Sequence, residues 1–264
     1  AIMKPVKVGG VTVTNATLHN QEEINRKDVR IGDTVIIQRA GDVIPEVVSV
    51  VESKRPKNSK PFLIPDKCPV CASKVVKLED EVASRCLNPL CPAIMKESLK
   101  HFVARRAMNI DKVGDRLIET FVDAGLVRGF SDFYQIEKSQ ILELERQGDK
   151  SEENIISSIE KSKKTTLARL IFALGIRFVG EQTAKSLAEH FVTVEAFLNA
   201  NDQDLLTVPD IGPKVANSIT AWLTNKKLVR EVEQMIKLGV EIQGPQRKTS
   251  GPLAGKSFLI TGTL

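Results

Sequence analysis

Four cysteines carry the most evident chemistry in this sequence. They stand as Cys68-Pro-Val-Cys71 and Cys86-Leu-Asn-Pro-Leu-Cys91, within 24 residues, and no other cysteine occurs in the 264. Thiolates paired two to four residues apart let one turn present two sulfurs to a tetrahedral Zn²⁺ at roughly 2.3 Å, and two such turns close the site. Four protein ligands leave no position for water or substrate. The predicted site is therefore structural: one Zn²⁺ held by Cys68, Cys71, Cys86 and Cys91. The competing disulfide reading needs an oxidising compartment, and the chain does not open with a basic stretch, an apolar run and a small-residue cleavage site. A redox reading of Cys68 and Cys71 also lacks the strand-helix unit in which such pairs work.

A second pattern is a fourfold repeat. Lys112-Val-Gly-Asp-Arg, Arg146-Gln-Gly-Asp-Lys, Phe178-Val-Gly-Glu-Gln and Asp210-Ile-Gly-Pro-Lys centre on Gly114, Gly148, Gly180 and Gly212, which are 34, 32 and 32 residues apart. Seven residues past each glycine stands an apolar residue: Phe121, Ile155, Leu187 and Ile219. Val113, Val179 and Ile211 precede their glycines, whereas Gln147 breaks the pattern and marks the second unit as the most architectural. Two residues past the glycine come Arg116, Lys150, Gln182 and Lys214. A glycine between two helices is expected to turn the chain with positive φ and to leave amides at the next helix N-terminus open to an anion. A phosphate suits that position, and Arg116, Lys150 and Lys214 would add charge-assisted contacts. Four such turns would follow a duplex backbone without reading its sequence. Asp115, Asp149 and Glu181 are expected to support their helix N-termini electrostatically.

The elements that must position these residues are legible in outline. Val6, Val8, Val11 and Val13 alternate with polar or glycine positions, and β-branched runs at Val35 to Ile37 and Val43 to Val51 flank Ala40-Gly41-Asp42. That is sheet with a tight turn. After the cysteines the period becomes helical, as in Leu167, Leu170, Ile171 and Leu174, with Gly125, Gly175 and Gly239 closing segments. Ser53 to Asp66, rich in proline and basic residues, and Gln243 to Pro252 read as linkers. The expected fold class is multidomain α+β, with domains at 1–66 (β-sheet and linker), 67–95 (Cys₄ finger), 96–245 (all-α hairpins), a linker at 246–252 and one strand of a truncated domain at 253–264.

Composition excludes several function classes. With 42% apolar and 27% charged residues, the chain is ordinary globular protein and neither disordered nor collagenous. Its longest apolar runs fall far short of the ~20 residues of a membrane span. A cytoplasmic address is expected. The net charge of +5 is too dispersed to prove a nucleic-acid partner. Local clusters say more: Lys54, Arg55, Lys57 and Lys60; Lys96, Lys100, Arg105 and Arg106; Lys161, Lys163, Lys164 and Arg169. Gly255-Lys256-Ser257 is no phosphate loop, because Ser250 stands where the first glycine is needed. Trp222 reads as core, and His101 as a packed or surface histidine rather than a ligand.

Val11-Thr-Val-Thr-Asn-Ala-Thr-Leu-His-Asn20, Arg39-Ala-Gly-Asp-Val-Ile-Pro45, the cysteine spacing and the four hairpins in that order resemble the C-terminal part of the bacterial NAD⁺-dependent DNA ligases. Leu253 to Leu264 resembles the opening strand of the BRCT-type domain that ends them. The resemblance implies an oligonucleotide-binding (OB) barrel of five strands over residues 1–66. It implies a clamp on nicked duplex DNA, with Arg39, in a turn between β-runs, as the barrel's contact; His19 and Asn20 would carry the family motif as fold residues. The family's nucleophile lies in a Lys-x-Asp-Gly motif of an adenylation domain, and no such motif occurs in these 264 residues. No catalytic residue is therefore expected here. NAD⁺ and Mg²⁺ or Mn²⁺ would serve the parent enzyme without binding to this part. Expected partners are nicked duplex DNA and the enzyme's own adenylation domain, with no membrane, in a monomeric, nucleoid-associated bacterial protein. The competing reading is a non-enzymatic repair or recombination adaptor built from the same modules.

Overall fold

Alternating valines around Gly9-Gly10 build the first hairpin, β1 (Ile2–Val8) antiparallel to β2 (Val11–Asn15), with Val8 opposite Val11. Gly9 and Gly10 have φ of 57° and 79°, the two positive values that a two-residue turn matched to strand twist demands. The computed structural model describes residues 1–18, 20–41, 44–78, 81–88, 91–144 and 149–245. They fall in two compact units, Ala1–Ala93 and Ile94–Leu264. His19 and the strand expected at 253–264 lie outside the described residues.

In the first unit, α1 (Gln21–Arg26) is capped by the Asn20 side chain, which accepts from the Glu22 amide at 2.9 Å. β3 (Val35–Ala40) then pairs antiparallel with β4 (Ile44–Val50). Instead of the expected five-stranded ladder, the described strands of residues 1–66 form two separate hairpins. A single parallel bridge from Thr17 to Glu46 runs between β4 and the segment following β2. Ala16, Ile24, Val29 and Val47 form the core, with Met3, Val35 and Ile37 packed on it. The segment read as a linker is part of this core: Phe62 and Ile64 pack against it, and the Gln21 side chain donates to the Phe62 carbonyl and accepts from the Ile64 amide. The proline-rich composition concealed two apolar anchors.

Arg55, also in that segment, is an internal tie rather than a free cation. Its guanidinium meets Asp33 at 2.9 Å and Asp28 at 2.5 Å, and Arg30 joins Asp28 at 2.8 Å. Hydrogen bonds from Arg30 and then Arg55 hold the Asp28 carboxyl down to about 2, against an ordinary 3.8. Burial of Asp33 works against its ionisation, and the Arg55 and Arg30 hydrogen bonds outweigh it, leaving that pKa lowered too. A depressed carboxylate contributes stability above its unfolded pKa and loses it as pH falls through the folded one. The stability lost in Arg55→Met is thus expected to be constant above about pH 4 and to shrink toward zero near pH 2. Thermal melts of both chains across that range check it.

Two further strands, β5 (Val75–Lys77) and β6 (Ser84–Cys86), pair antiparallel between the cysteine pairs. An Asn20–Ala83 bridge and a Lys77–Glu22 ion pair of 2.7 Å tie them to the start of α1.

The second unit is helical, as its period predicted: α2 (Pro92–Val103), α3 (Asp115–Asp123), α4 (Lys138–Leu144), α5 (Asp149–Ser162), α6 (Leu167–Ala173), α7 (Glu181–Phe191), α8 (Val194–Leu198), α9 (Asp202–Leu206), α10 (Pro213–Leu223) and α11 (Lys226–Lys237). One large core joins them. Phe102 stacks on Phe130 and Phe133 with centroids 4.7 and 6.0 Å away. Trp222 is buried as expected, and His101 is packed, its Nε2 2.7 Å from the Phe172 carbonyl. Glu231 on α11 accepts from the amide and hydroxyl of Ser131, each at 2.9 Å. A side chain at Gly129 would meet that carboxylate at 2.5 Å, so Glu231 would have to move and give up its bonds to Ser131. The helical reading missed one feature. Short parallel strands β7 (Lys164–Thr166) and β8 (Glu241–Gln243) pair the turn before α6 with the segment after α11. Three-residue strands leave no readable alternation, and their partner lies more than seventy residues away in sequence.

Candidate metal centre and nucleic-acid interface

The cysteines meet as a closed cluster. Cys68 lies in a turn in which the Ala72 amide donates to its carbonyl and its own amide donates to the Ser73 carbonyl, with Ala72 left-handed at φ 58°. Cys86 ends β6 opposite Val75, and Cys91 donates its amide to the Asn88 carbonyl just before Pro92 starts α2. The sulfurs stand 3.9 Å apart for Cys68 and Cys91 and 3.6 Å apart for Cys71 and Cys86, and all four lie within 4.8 Å of one another. A tetrahedron with bonds of about 2.3 Å has edges of about 3.8 Å, so the cluster fits Zn²⁺. All four cysteines are free.

The electrostatics agree. The Ser73 hydroxyl and amide hydrogen-bond Cys71 and bring its pKa down to about 6. At Cys86 the Asn88 amide favours the thiolate, but burial and the neighbouring sulfurs of Cys71 and Cys68 outweigh it and push the pKa up to about 11. Four thiolates crowd together only around a cation, which then ionises them all. Cys68 and Cys91 are buried and Cys71 and Cys86 half-buried, so such an ion would be enclosed rather than open to substrate. The site holds one structural zinc.

The hairpin glycines differ from expectation in an informative way. Gly114, Gly180 and Gly212 are the N-caps of α3, α7 and α10, but with φ of −83°, −85° and −88° and ψ near 180°. Any residue adopts that conformation. The left-handed turn falls two positions earlier, at Lys112, Phe178 and Asp210, with φ of 69°, 66° and 63°. A Cβ on any of the three glycines would touch nothing within 4 Å. Neither backbone geometry nor internal packing therefore calls for glycine. No side chain caps these helices, and all three glycines are exposed. Open space above a bare helix N-terminus is what a bound anion requires.

The rest of each unit matches its pattern. Val113, Val179 and Ile211 are buried before their glycines, and Phe121, Leu187 and Ile219 are fully buried after them. Ile155 is likewise buried in α5, while Gly148 and the Lys150 side chain lie outside the described residues. Arg116, Gln182 and Lys214 are exposed in the first turn of their helices. Glu181 does more than face its helix N-terminus: it pairs with Arg106 at 3.0 Å, joining the loop before the first hairpin turn to the third hairpin.

Several expected cations prove to be internal ties. Lys96 pairs with Asp123 at 2.6 Å, Lys100 with Glu119 at 2.9 Å and Lys163 with Glu160 at 2.8 Å. Arg169 donates to the carbonyls of Ala107 and Arg105. Sequence clustering could not see these carboxylates and carbonyls. It also missed Arg177 and Phe178, which gather beside Lys214 at the third turn: the Arg177 guanidinium and the Lys214 ammonium lie 4.5 and 5.1 Å from the Phe178 ring centroid. In the first unit Arg39 is a strand residue opposite Pro45 rather than a turn residue, because β3 runs on to Ala40. Its half-buried side chain lies over Gly9, where a Cβ would meet Nη1 at 3.5 Å.

Comparison with known proteins agrees with these modules one by one. Residues 1–59 match the model of the NAD-dependent DNA ligase OB-fold domain, residues 67–93 that of the NAD-dependent DNA ligase C4 zinc finger domain, and residues 169–232 the helix-hairpin-helix motif. Over its whole length the chain is 70% identical to a DNA ligase of Bdellovibrio bacteriovorus. It is 48% identical to those of Coxiella burnetii and Syntrophus aciditrophicus. It spans 39% of the length of each of these relatives. Residues 1–59 and 67–93 are thus similar to two domains of the NAD-dependent DNA ligases, ahead of a region that matches a helix-hairpin-helix motif.

Proposed function

We propose that this chain is the DNA-gripping portion of an NAD⁺-dependent ligase that seals nicks in duplex DNA during replication and repair. The observation that supports this most is the set of hairpin glycines: three helix N-termini in a repeat, each glycine called for by nothing inside the protein. Amide donors and flanking cations there bind phosphates, which every DNA sequence offers alike. We assign residues 1–66 to the OB barrel, with Arg39 as its DNA contact, 67–95 to the finger, 96–245 to the hairpins, 246–252 to a linker and 253–264 to the first strand of a BRCT-type domain. Gly114, Arg116, Gly148, Lys150, Gly180, Gly212 and Lys214 are the hairpin contacts. The reaction itself would belong to an adenylation domain: a lysine there would take AMP from NAD⁺ with Mg²⁺ or Mn²⁺, breaking the pyrophosphate bond and releasing nicotinamide mononucleotide; AMP would pass to the 5′-phosphate, and the 3′-hydroxyl would displace it as the new phosphodiester forms. The parent protein works as a cytoplasmic monomer at the nucleoid, and no helix among the described residues is long and apolar enough to cross a membrane.

The test is complementation in trans. This chain, a separately expressed adenylation domain, NAD⁺, Mg²⁺ and nicked duplex are combined and sealing is followed on a denaturing gel. Sealing that needs both pieces is the expected result. Duplex binding without sealing would favour the adaptor reading instead.

A further inference from the structure

The first, third and fourth hairpins turn through the same left-handed residue two positions before the glycine, and only the third places an aromatic there: Lys112, Phe178 and Asp210 respectively. A ring at such a position is costly, because positive φ suits bulky residues poorly. Phe178 is also 43% exposed, so it does not fill the core. The two cations against its ring come from different hairpins. The Arg177 guanidinium lies 4.5 Å and the Lys214 ammonium 5.1 Å from its centroid, so the two cations stand no more than about 10 Å apart, within a Debye length of each other at ordinary salt. The Ser218 hydroxyl of α10 donates to the Arg177 carbonyl at 2.8 Å, which fixes the backbone of this turn against the fourth hairpin.

Resting on the DNA-binding reading above, we infer that Phe178 is a positioning residue: its ring holds Arg177 and Lys214 together beside the open N-termini of α7 and α10, so that hairpins three and four grip the backbone of one duplex as a unit. The electron-rich ring face attracts both cations and keeps their long side chains in place before DNA arrives. Less side-chain freedom is then lost on binding. A phosphodiester drawn to both cations at once ties the two hairpins to one stretch of backbone. The ring acts through the cations and does not itself contact the bases.

Fluorescence anisotropy of the 264-residue chain with a labelled nicked duplex tests this across a salt series. Phe178→Leu keeps an apolar side chain and removes the ring face. Its affinity is expected to fall about three- to tenfold, the loss of a pair of exposed cation–π contacts, with the slope of log affinity against log salt reduced by about one. Phe178→Tyr restores the ring and should bind like the wild type. In an Arg177→Ala/Lys214→Ala background, Phe178→Leu should add nothing further. Equal binding by Phe178→Leu and wild type overturns the inference, as does an undiminished loss in the background lacking both cations, which would mean direct contact of the ring with DNA. Wild-type chain that shows no salt-sensitive duplex binding removes the DNA-binding reading together with this inference.

Discussion

Stripping metal from the Cys68, Cys71, Cys86 and Cys91 cluster is expected to unfold residues 67–91 while the helical unit keeps its far-ultraviolet signal. Between the cysteines the described residues form two three-residue strands and include no fully buried large side chain. Zn²⁺ binding to small cysteine modules supplies roughly 10–16 kcal/mol of apparent free energy, far more than those strands contribute. Elemental analysis should find one zinc per chain. Cys91→Ser, at the most buried ligand, should lower that stoichiometry and expose the remaining three thiols to alkylation. A chelated protein whose cysteines stay unreactive and whose finger resists proteolysis would show that the packing alone holds the segment, and the metal reading would be lost.

Substituting the hairpin glycines is expected to separate binding from stability. Gly180→Val and Gly212→Val place a side chain in empty space at backbone angles that valine adopts readily. The melting temperature should move by no more than a few degrees, since removing glycine also restricts the unfolded chain. Duplex affinity should fall about ten- to a hundredfold for each, because a branched side chain above the helix N-terminus keeps a phosphate from amide hydrogen bonds that, to a charged group, contribute about 1.5–3 kcal/mol. Gly129→Val is the opposite control. Its side chain would collide with Glu231, so stability should drop while the binding face is untouched. Gly180→Val and Gly212→Val that melt early, or bind duplex normally, would mean that these glycines serve the fold.

The sequence by itself determined the modules and their chemistry. Cysteine spacing predicted the cluster because two short turns are local devices whose ligand geometry is written in a few residues. The repeat was legible for the same reason: the apolar residue after each glycine follows from helical period, and Phe121, Ile155, Leu187 and Ile219 are all buried where it placed them. Tertiary structure decided what spacing cannot carry. It moved the left-handed turn from the glycines to Lys112, Phe178 and Asp210, since φ is set by how two helices must meet rather than by which residue tolerates it best. It paired Lys96, Lys100, Arg169 and Arg55 with groups 19 to 64 residues away in the chain, which become neighbours only on folding. The same folding brought Arg177 and Lys214 onto one ring. Charge is a property of sequence, whereas which charges remain to meet a ligand is a property of the packed molecule.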